Sequence, residues 1–297
     1  MSRVLILNDG RVGHLNQSIA LAKYLGADYD IAEVVPRFKW SKICSYLLDR
    51  MKIKRDFLFH PLELYPPYEI VIGTGSSTAY MVKVVAAKLY AKSIMMMLPK
   101  GYRYDFDLIF AQVHDNPPSR DNIITLSANF AYAEPRGIYQ AKKKSIALVI
   151  GGDTKLFKIS KEKLKAQLDY IAAHYPEHEL AVTTSPRTPE DIEVMIEHYG
   201  FDYTVLFSKN PVNPIADFLE QCETVFLTGD STSMISEAVS YGNANIVVLP
   251  LDVKKPNKFT RFVASLEAEG YLHVFDGTIK EANRKIDFSG YAKKVIV

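Results

Sequence analysis

The chain is poor in cysteine, lacks any long apolar run and carries almost no net charge. Two cysteines, Cys44 and Cys222, occur in 297 residues, which excludes a disulfide-built scaffold or a Cys-rich zinc module and fits a reducing compartment. No apolar run approaches the ~20 residues of a membrane span, and the first residues lack the apolar core of a signal peptide. The 36 basic residues nearly balance the 34 acidic ones, so no overall basic field exists to bind nucleic acid. We therefore expect a soluble cytoplasmic protein that binds no nucleic acid, with a peripheral membrane role left open.

Short apolar runs alternate with helix-period segments along most of the chain, which is typical of α/β proteins with buried parallel sheets. The first set of apolar runs covers residues 4–7, 30–35, 70–72, 94–98, 108–110 and 123–126. The second set covers residues 146–150, 180–183, 204–207, 225–227 and 246–249. A polar segment with proline, glycine and three lysines separates the sets, and such segments mark linkers. We predict two Rossmann-like parallel-sheet domains facing a cleft, residues 1–140 and 141–297, and no clear helix within residues 287–297 that crosses back to the first domain.

The loop that follows the first strand, residues 8–17, contains a candidate general base. Ligands of open parallel sheets bind at the carboxyl ends of the strands. His14 lies at the predicted helix start after this loop, and an imidazole titrates close to working pH. Gly13, Asn16 and Gln17 lie beside it in the sequence, on what would be the acceptor side. Helix capping by His14, or packing on a neighbour, is equally compatible with the spacing.

Two other strand-end loops of the first domain are weaker candidates. The turn at Gly75 and Ser76 imitates a dinucleotide-binding loop but lacks its third glycine, and the next strand ends in Pro99-Lys100 rather than an acid, which disfavours NAD. Such a turn can admit an acceptor or simply pack a strand on a helix. His114 beside Asp115 could form an oriented base, although the Asp-Asn-Pro-Pro composition favours an ordinary turn.

Three segments of the second domain carry groups suited to a diphosphate. Gly152 belongs to a Gly-Gly turn that exposes backbone N–H groups, and Lys155 adds a cation. Arg187 follows another strand and offers a forked guanidinium. Lys258 and Arg261 lie near a predicted helix start. A plain glycine turn and a solvated charge cluster are the alternatives, and no Gly-Lys-Ser/Thr sequence stands at the spacing of a nucleotide triphosphate loop.

The segment at 228–237 is the most informative one. Gly229 and Asp230 follow an apolar strand, and three consecutive hydroxyl residues then begin a helix: Ser231, Thr232 and Ser233. Three hydroxyls exceed the need of one N-cap, and the free amides of a helix start attract phosphate. Glu237 follows about one turn later. A carboxylate there would repel phosphate, so it suits the hydroxyls of a ribose or sugar, unless the segment is only a well-capped helix.

A basic amphipathic segment spans residues 37–55. Its apolar residues recur at helical spacing, and they are Trp40, Ile43, Cys44, Leu47, Leu48 and Met51. Seven cations surround them, with Asp49 as the one acid: Arg37, Lys39, Lys42, Arg50, Lys52, Lys54 and Arg55. A stripe of this kind more often faces a protein core. The cations and the chain's single tryptophan favour instead a helix that lies on a membrane surface.

Taken together and in this order, the motifs resemble the mitochondrial-fission Elm-type family of plants and many Gram-negative bacteria. The resemblance covers about the whole chain and rests on the segments 10–17, 112–115, 151–155, 183–189, 228–237 and 258–262. It implies the two-domain GT-B architecture. The segment 228–237, with Gly242 and Pro250 after it, is also similar to the donor-binding signature of MurG-like enzymes, whose glycine-rich first loop ends in a histidine at the place of His14.

The resemblance implies a glycosyltransferase, inverting and without metal or cofactor, that moves a sugar from a nucleotide-sugar donor to a cell-envelope glycan or lipid-linked acceptor. The C-terminal domain would hold the donor. His14 would deprotonate the acceptor hydroxyl, with Asp115 as a second catalytic candidate, and the 231–233 helix start with Lys155 and Arg261 would stabilise the leaving diphosphate. It leaves two alternatives: a non-enzymatic, membrane-recruited adaptor, or an enzyme similar to a UDP-sugar epimerase. The expected location is the cytoplasm, including the inner face of the cytoplasmic membrane.

Overall fold

A computed structural model describes residues 3–65, 67–253 and 255–296 of the chain. The chain divides into two compact units at Tyr132/Ala133 and at Ile286/Asp287, and the residues after Ile286 join the first unit. Within the described ranges, no helix is long and apolar enough to cross a membrane.

The first unit is built on a six-stranded parallel sheet in the order β2-β1-β3-β4-β5-β6. Its strands are β1 (Arg3–Asn8), β2 (Asp28–Glu33), β3 (Ile70–Thr74), β4 (Lys92–Met96), β5 (Leu108–Gln112) and β6 (Ile123–Leu126). Its helices before the linker are α1 (Val12–Tyr24), α2 (Ser41–Arg50) and α3 (Ala79–Leu89). Every residue of β3 and β5 is buried, as expected of apolar strands in a sheet that is covered on both faces.

The second unit repeats this plan with the sheet order β10-β9-β7-β11-β12-β14, again all parallel. Its strands are β7 (Ser145–Val149), β8 (Phe157–Lys158), β9 (Glu179–Thr183), β10 (Tyr203–Val205), β11 (Thr224–Thr228), β12 (Asn245–Leu249), β13 (Asp252–Val253) and β14 (His273–Val274). Its helices are α4 (Lys161–His174), α5 (Glu190–Glu197), α6 (Ile215–Gln221), α7 (Thr232–Ala238) and α8 (Lys258–Ala268). β8 and β13 form a separate antiparallel pair.

Both sheets have a topological switch point, where successive strands depart to opposite sides of a central strand. In the first unit, β2 and β3 flank β1; in the second, β9 and β11 flank β7. Ligand-binding crevices of open α/β sheets form at such points. The predicted fold class, α/β with two parallel sheets, is confirmed.

The division between the units differs from the predicted one at the linker. Residues 133–140 belong to the second unit, whereas the sequence predicted a boundary after residue 140. The reason is Asp217 on α6, which is buried and accepts hydrogen bonds from four successive backbone amides at 136–139. These bonds tie the polar segment to the second unit.

The C-terminal segment also differs from the expectation. The sequence predicted no clear helix after residue 286 that crosses back to the first domain, and this was wrong: α9 (Phe288–Lys293) forms there, with Asp287 capping its first turn. Phe288 is buried in the first unit, where its ring stacks on that of Phe130 at a centroid distance of 4.6 Å. It also lies 6.3 Å from the ring of Tyr24 on α1. Aromatic burial therefore assigns this segment to the first unit.

Candidate active site

The loop after β1 positions His14 against a buried carboxylate. His14 lies in the first turn of α1, and its Nδ1 is 3.0 Å from Oδ2 of Asp9, whose side chain is only 5% exposed. Because a carboxylate can only accept a hydrogen bond, the imidazole carries its proton on Nδ1. Nε2 is then the free basic atom. A histidine held by an acid in this way is the arrangement of an oriented general base.

The turn after β3 supports the other side of the same ring. Gly75 has a φ of +76°, and a Cβ built on it would lie 2.5 Å from Cε1 of His14. β1 and β3 are neighbours in the sheet, so the two loops meet at the switch point of the first unit. Gly75 thus serves the close approach of an imidazole and not only strand–helix packing.

The other predicted acceptor-side residues of this unit differ in their burial and in their hydrogen bonds. Gln17 is buried and donates from Nε2 to the carbonyl of Gly13, while its Oε1 has no donor within the described chain. Oε1 of the buried Gln112 is in the same situation. Asn16 is exposed and Ser76 is half-buried. A buried acceptor without a donor is costly, by roughly 1–3 kcal/mol, so these two oxygens are suited to a ligand or water that donates a hydrogen bond.

The second predicted acid–base pair of this unit has a different arrangement. Val113–Asp115 form a short 3-10 helix that ends at Asn116 with a φ of +50°, so the predicted turn is confirmed. The carboxylate of Asp115 pairs with Nζ of Lys100 at 2.8 Å. His114 is half-buried. Asp115 therefore pairs with a lysine, whereas Asp9 contacts an imidazole at 3.0 Å and, more distantly, Nε of Arg11 at 3.9 Å.

Three strand-end loops of the second unit meet at Asp230, whose side chain is fully buried. Its carboxylate accepts hydrogen bonds from Oγ1 of Thr228 at 2.7 Å and from the amide of Gly152 at 3.1 Å. Arg187 donates to it from Nη2 at 2.7 Å, and about half of the arginine side chain stays exposed. The loops belong to β7, β9 and β11, which are adjacent in the sheet. The carboxylate of Asp230 and the amide of Gly152 are thus engaged within the protein.

The start of α7 leaves backbone amides available. Ser231 is the N-cap, and its Oγ accepts from the amide of Met234. In the part of the chain that the structure describes, the amides of Thr232 and Ser233 have no acceptor. Gly229 precedes this turn and lies near Val248 on the neighbouring strand. This helix start adjoins the switch point between β7 and β11.

Glu237 is a partly buried carboxylate that lacks a partner. No hydrogen bond or ion pair to its side chain exists among the described residues, and burial raises its pKa from 4.5 to about 7. A carboxylate in this state is stabilised by any hydroxyl that donates to it, because such a donor replaces the lost water.

Two cavities lie on the same unit. A cavity of about 270 Å³ has a largely apolar lining that includes Phe157, Gly229, Pro250, Leu251 and Val263. A more open one of about 640 Å³ brings Lys155 and Lys158 to the start of α8. Arg261 and Lys258 are exposed on the first turn of α8. Among the described residues, no three His, Cys, Asp or Glu side chains converge as ligands for a metal ion.

Sequence reasoning had missed two elements of this arrangement. Asp9 stands in the motif around His14, but its spacing of five residues has no helical or strand periodicity that would indicate a pair. The apolar cavity is lined by five separate segments of the chain between residues 157 and 274. Predicting this cavity would have required the order of the strands in the sheet.

Comparisons with known proteins agree with this architecture. The profile of the family described as mitochondrial fission ELM1 matches residues 12–290. The uncharacterized protein RP120 of Rickettsia prowazekii is 23% identical over 325 residues, covering 93% of this chain and 91% of that protein.

Solved structures show the fold. The spinosyn forosaminyltransferase SpnP matches with a TM-score of 0.53 at 12% sequence identity. The glycosyltransferase SnogD from Streptomyces nogalater matches with a TM-score of 0.51, also at 12% identity. Each of the two matches covers 99% of this chain and 93% of the other chain. A co-structure of S. aureus MnaA with UDP has 0.50 at 12%, covering 100% and 95%. The fold is therefore that of the GT-B glycosyltransferases, and the chain belongs to the mitochondrial fission ELM1 family.

Proposed function

We propose that this protein is a glycosyltransferase that moves a sugar from a nucleoside diphosphate sugar to an acceptor hydroxyl. The observation that carries the proposal is the contact between His14 and the buried carboxylate of Asp9. A non-enzymatic adaptor has no need of an imidazole that is oriented by an acid and enclosed by a glycine turn. The fold shared with glycosyltransferases is compatible with this chemistry and does not by itself establish it.

The donor would bind to the second unit. Its diphosphate would accept hydrogen bonds from the amides of Thr232 and Ser233, where the helix dipole favours negative charge. Lys155, Arg261 and the exposed part of Arg187 would add positive charge. Glu237 would accept hydrogen bonds from the ribose or sugar hydroxyls. The apolar cavity beside Gly229 and Pro250 would receive the base. Asp230 would position these loops without touching the donor.

The reaction would be a single displacement. Nε2 of His14 takes the proton of the acceptor hydroxyl while the acceptor oxygen forms a bond to the anomeric carbon of the sugar. The bond from that carbon to the diphosphate oxygen breaks, and the nucleoside diphosphate leaves with its electron pair. Asp9 stabilises the imidazolium that results. Attack opposite the leaving group inverts the anomeric centre. The acceptor of this reaction would be a cell-envelope glycan or a lipid-linked sugar.

The test is turnover of a panel of nucleoside diphosphate sugars, with and without an acceptor extract. We expect His14→Ala to lower turnover by about 10²–10⁴-fold and to leave donor binding nearly intact. His60→Ala is a matched control, because His60 is an exposed histidine of the same unit. It should turn over like the wild type.

Three outcomes would contradict the proposal or its assignment of the base, and the assays distinguish them. No turnover of any donor by the wild-type protein, together with no binding, would indicate an adaptor. Conversion of a donor into a different nucleotide sugar without acceptor would indicate an epimerase. Turnover that survives His14→Ala but is lost in Asp115→Asn would move the base to the 113–115 turn.

A further inference from the structure

Helix α2 has its polar face buried and its apolar face exposed. Ser41, Ser45 and Asp49, spaced by four residues, are at most 3% exposed. Ile43 and Leu47 are 71% and 60% exposed. This is the reverse of a helix that packs on a globular core. The core-facing alternative for the 37–55 segment holds for Cys44, Tyr46 and Leu48, which pack partly against the core of the first unit.

Specific polar contacts hold the helix in this orientation. The carboxylate of Asp49 pairs with Nζ of the buried Lys83 at 2.6 Å and accepts from the amide of Arg103 at 2.8 Å. Oγ of Ser45 lies 2.8 Å from the hydroxyl of Tyr102. A rotation of α2 that buried its apolar face would break the ion pair of Asp49 with Lys83 and remove the acceptor of the Arg103 amide, which is unfavourable for a buried carboxylate. The exposure is therefore built into the fold.

The exposed large apolar side chains of this segment, which we call the ridge, are Phe38, Trp40, Ile43, Leu47 and Met51. Ile43, Leu47 and Met51 recur every four residues, so they lie along one side of the helix. The rings of Phe38 and Trp40 stack at a centroid distance of 4.7 Å with their planes within 1°. An exposed cluster of large apolar and aromatic side chains at this density indicates a binding surface.

Basic side chains flank the ridge, and among the described residues none of them has an ion-pair partner. All seven cations of the segment 37–55 are exposed: Arg37, Lys39, Lys42, Arg50, Lys52, Lys54 and Arg55. None of them forms an ion pair within the described ranges of the chain. The one acid of the segment, Asp49, forms an ion pair with Lys83 inside the unit. Every exposed charged side chain within residues 37–55 is therefore positive.

We propose that the ridge docks on an anionic lipid bilayer, with Trp40 and its apolar neighbours inserted at the headgroup boundary. An apolar stripe with unpaired lysines and arginines beside it matches the two layers of a lipid surface, anionic headgroups above acyl chains. Long basic side chains reach the headgroups while the apolar side chains enter below them. The positive charge of residues 37–55 also opposes the pairing of two copies through this face. This inference does not depend on the proposed glycosyl transfer.

The test uses the single tryptophan of the chain as a probe. Emission of Trp40 should shift to shorter wavelength with vesicles of phosphatidylcholine and phosphatidylglycerol at low salt. It should shift little with phosphatidylcholine alone, and the shift should diminish at high salt. Co-sedimentation with the same vesicles measures the affinity.

Two pairs of variants make the test specific. Ile43→Ser/Leu47→Ser should reduce vesicle partitioning at least ~10-fold, whereas Tyr90→Ser/Val194→Ser, at exposed apolar residues elsewhere, should not. Lys42→Gln/Arg50→Gln should reduce it more than the equal charge change Lys142→Gln/Lys143→Gln. Circular dichroism checks that each variant folds.

Three outcomes would overturn the proposal. The first is a Trp40 emission wavelength that does not change when anionic vesicles are added. The second is an equal loss of binding in the ridge variants and their controls. The third is a shift of emission that depends on protein concentration without vesicles, which would show that a second copy covers the ridge.

Discussion

Replacement of Glu237 by glutamine should stabilise the unliganded protein while it weakens donor binding. Burial raises the pKa of this carboxyl from 4.5 to about 7, and no described residue donates to it. The folded protein therefore binds this proton more tightly than the unfolded chain. Its contribution to stability is complete below pH 4.5 and is lost as the pH rises through 7. At neutral pH the charged carboxylate destabilises the folded state, and the neutral amide of glutamine removes this destabilisation.

The size of the effect follows from the two pKa values. A rise from 4.5 to about 7 corresponds to roughly 3 kcal/mol. Because the side chain is partly exposed, we expect a smaller gain of about 2 kcal/mol for Glu237→Gln above pH 7, and almost none near pH 4.5. Donor affinity should fall about 10-fold or more, since a carboxylate that accepts from hydroxyls is lost. Affinity for inorganic phosphate should change little.

The assay is urea unfolding of both proteins across this pH range, with titration calorimetry of a nucleoside diphosphate sugar at pH 7.5. Glu177→Gln is the control, because Glu177 is an exposed glutamate of the same unit. It should alter neither quantity. A pH-independent difference in stability, or a Glu237→Gln variant that binds donor as tightly as the wild type, would refute the reasoning.

Three other substitutions test the positioning of the sites. Asp9→Asn should keep the fold and lower turnover about 10²-fold, which steady-state kinetics would measure; an unchanged turnover number would remove Asp9 from the mechanism. Gly75→Ala should displace the His14 ring and lower turnover at least ~10-fold, whereas Gly26→Ala, also at a positive φ but facing open space, should lower only stability. Equal effects of the two substitutions on turnover would contradict the role of the contact between Gly75 and His14. Asp217→Ala should lower the free energy of unfolding by at least ~3 kcal/mol in urea titration, because four backbone amides lose the buried carboxylate that accepts from them; a loss below ~1 kcal/mol would show that water replaces the carboxylate.

The strands and their parallel pairing could be predicted because each is a short apolar run bounded by polar turns. β5 and β11 show why: their residues are buried on both sides, so hydrophobicity alone identifies them. The placement of His14 and Ser231 at helix starts was predictable for a similar reason, since the strand that precedes each one ends clearly.

Long-range polar contacts could not be predicted. Asp217 accepts hydrogen bonds from four linker amides that lie about 80 residues away in the sequence. No local sequence pattern indicates such contacts. The short helix at Phe288–Lys293 has little amphipathic signal, and it depends on burial of Phe288 against Phe130. The orientation of α2 was equally hidden, because it depends on the partner of Asp49, which is Lys83 on α3.

A crystal structure of the protein with a bound nucleoside diphosphate tests the central proposal most directly. We expect the diphosphate on the amides of Thr232 and Ser233, with the ribose hydroxyls donating to Glu237 and the base in the cavity beside Gly229. A nucleotide bound only in the first unit, or none at saturating concentration, would contradict the assignment of the donor site and of the transfer reaction built on it.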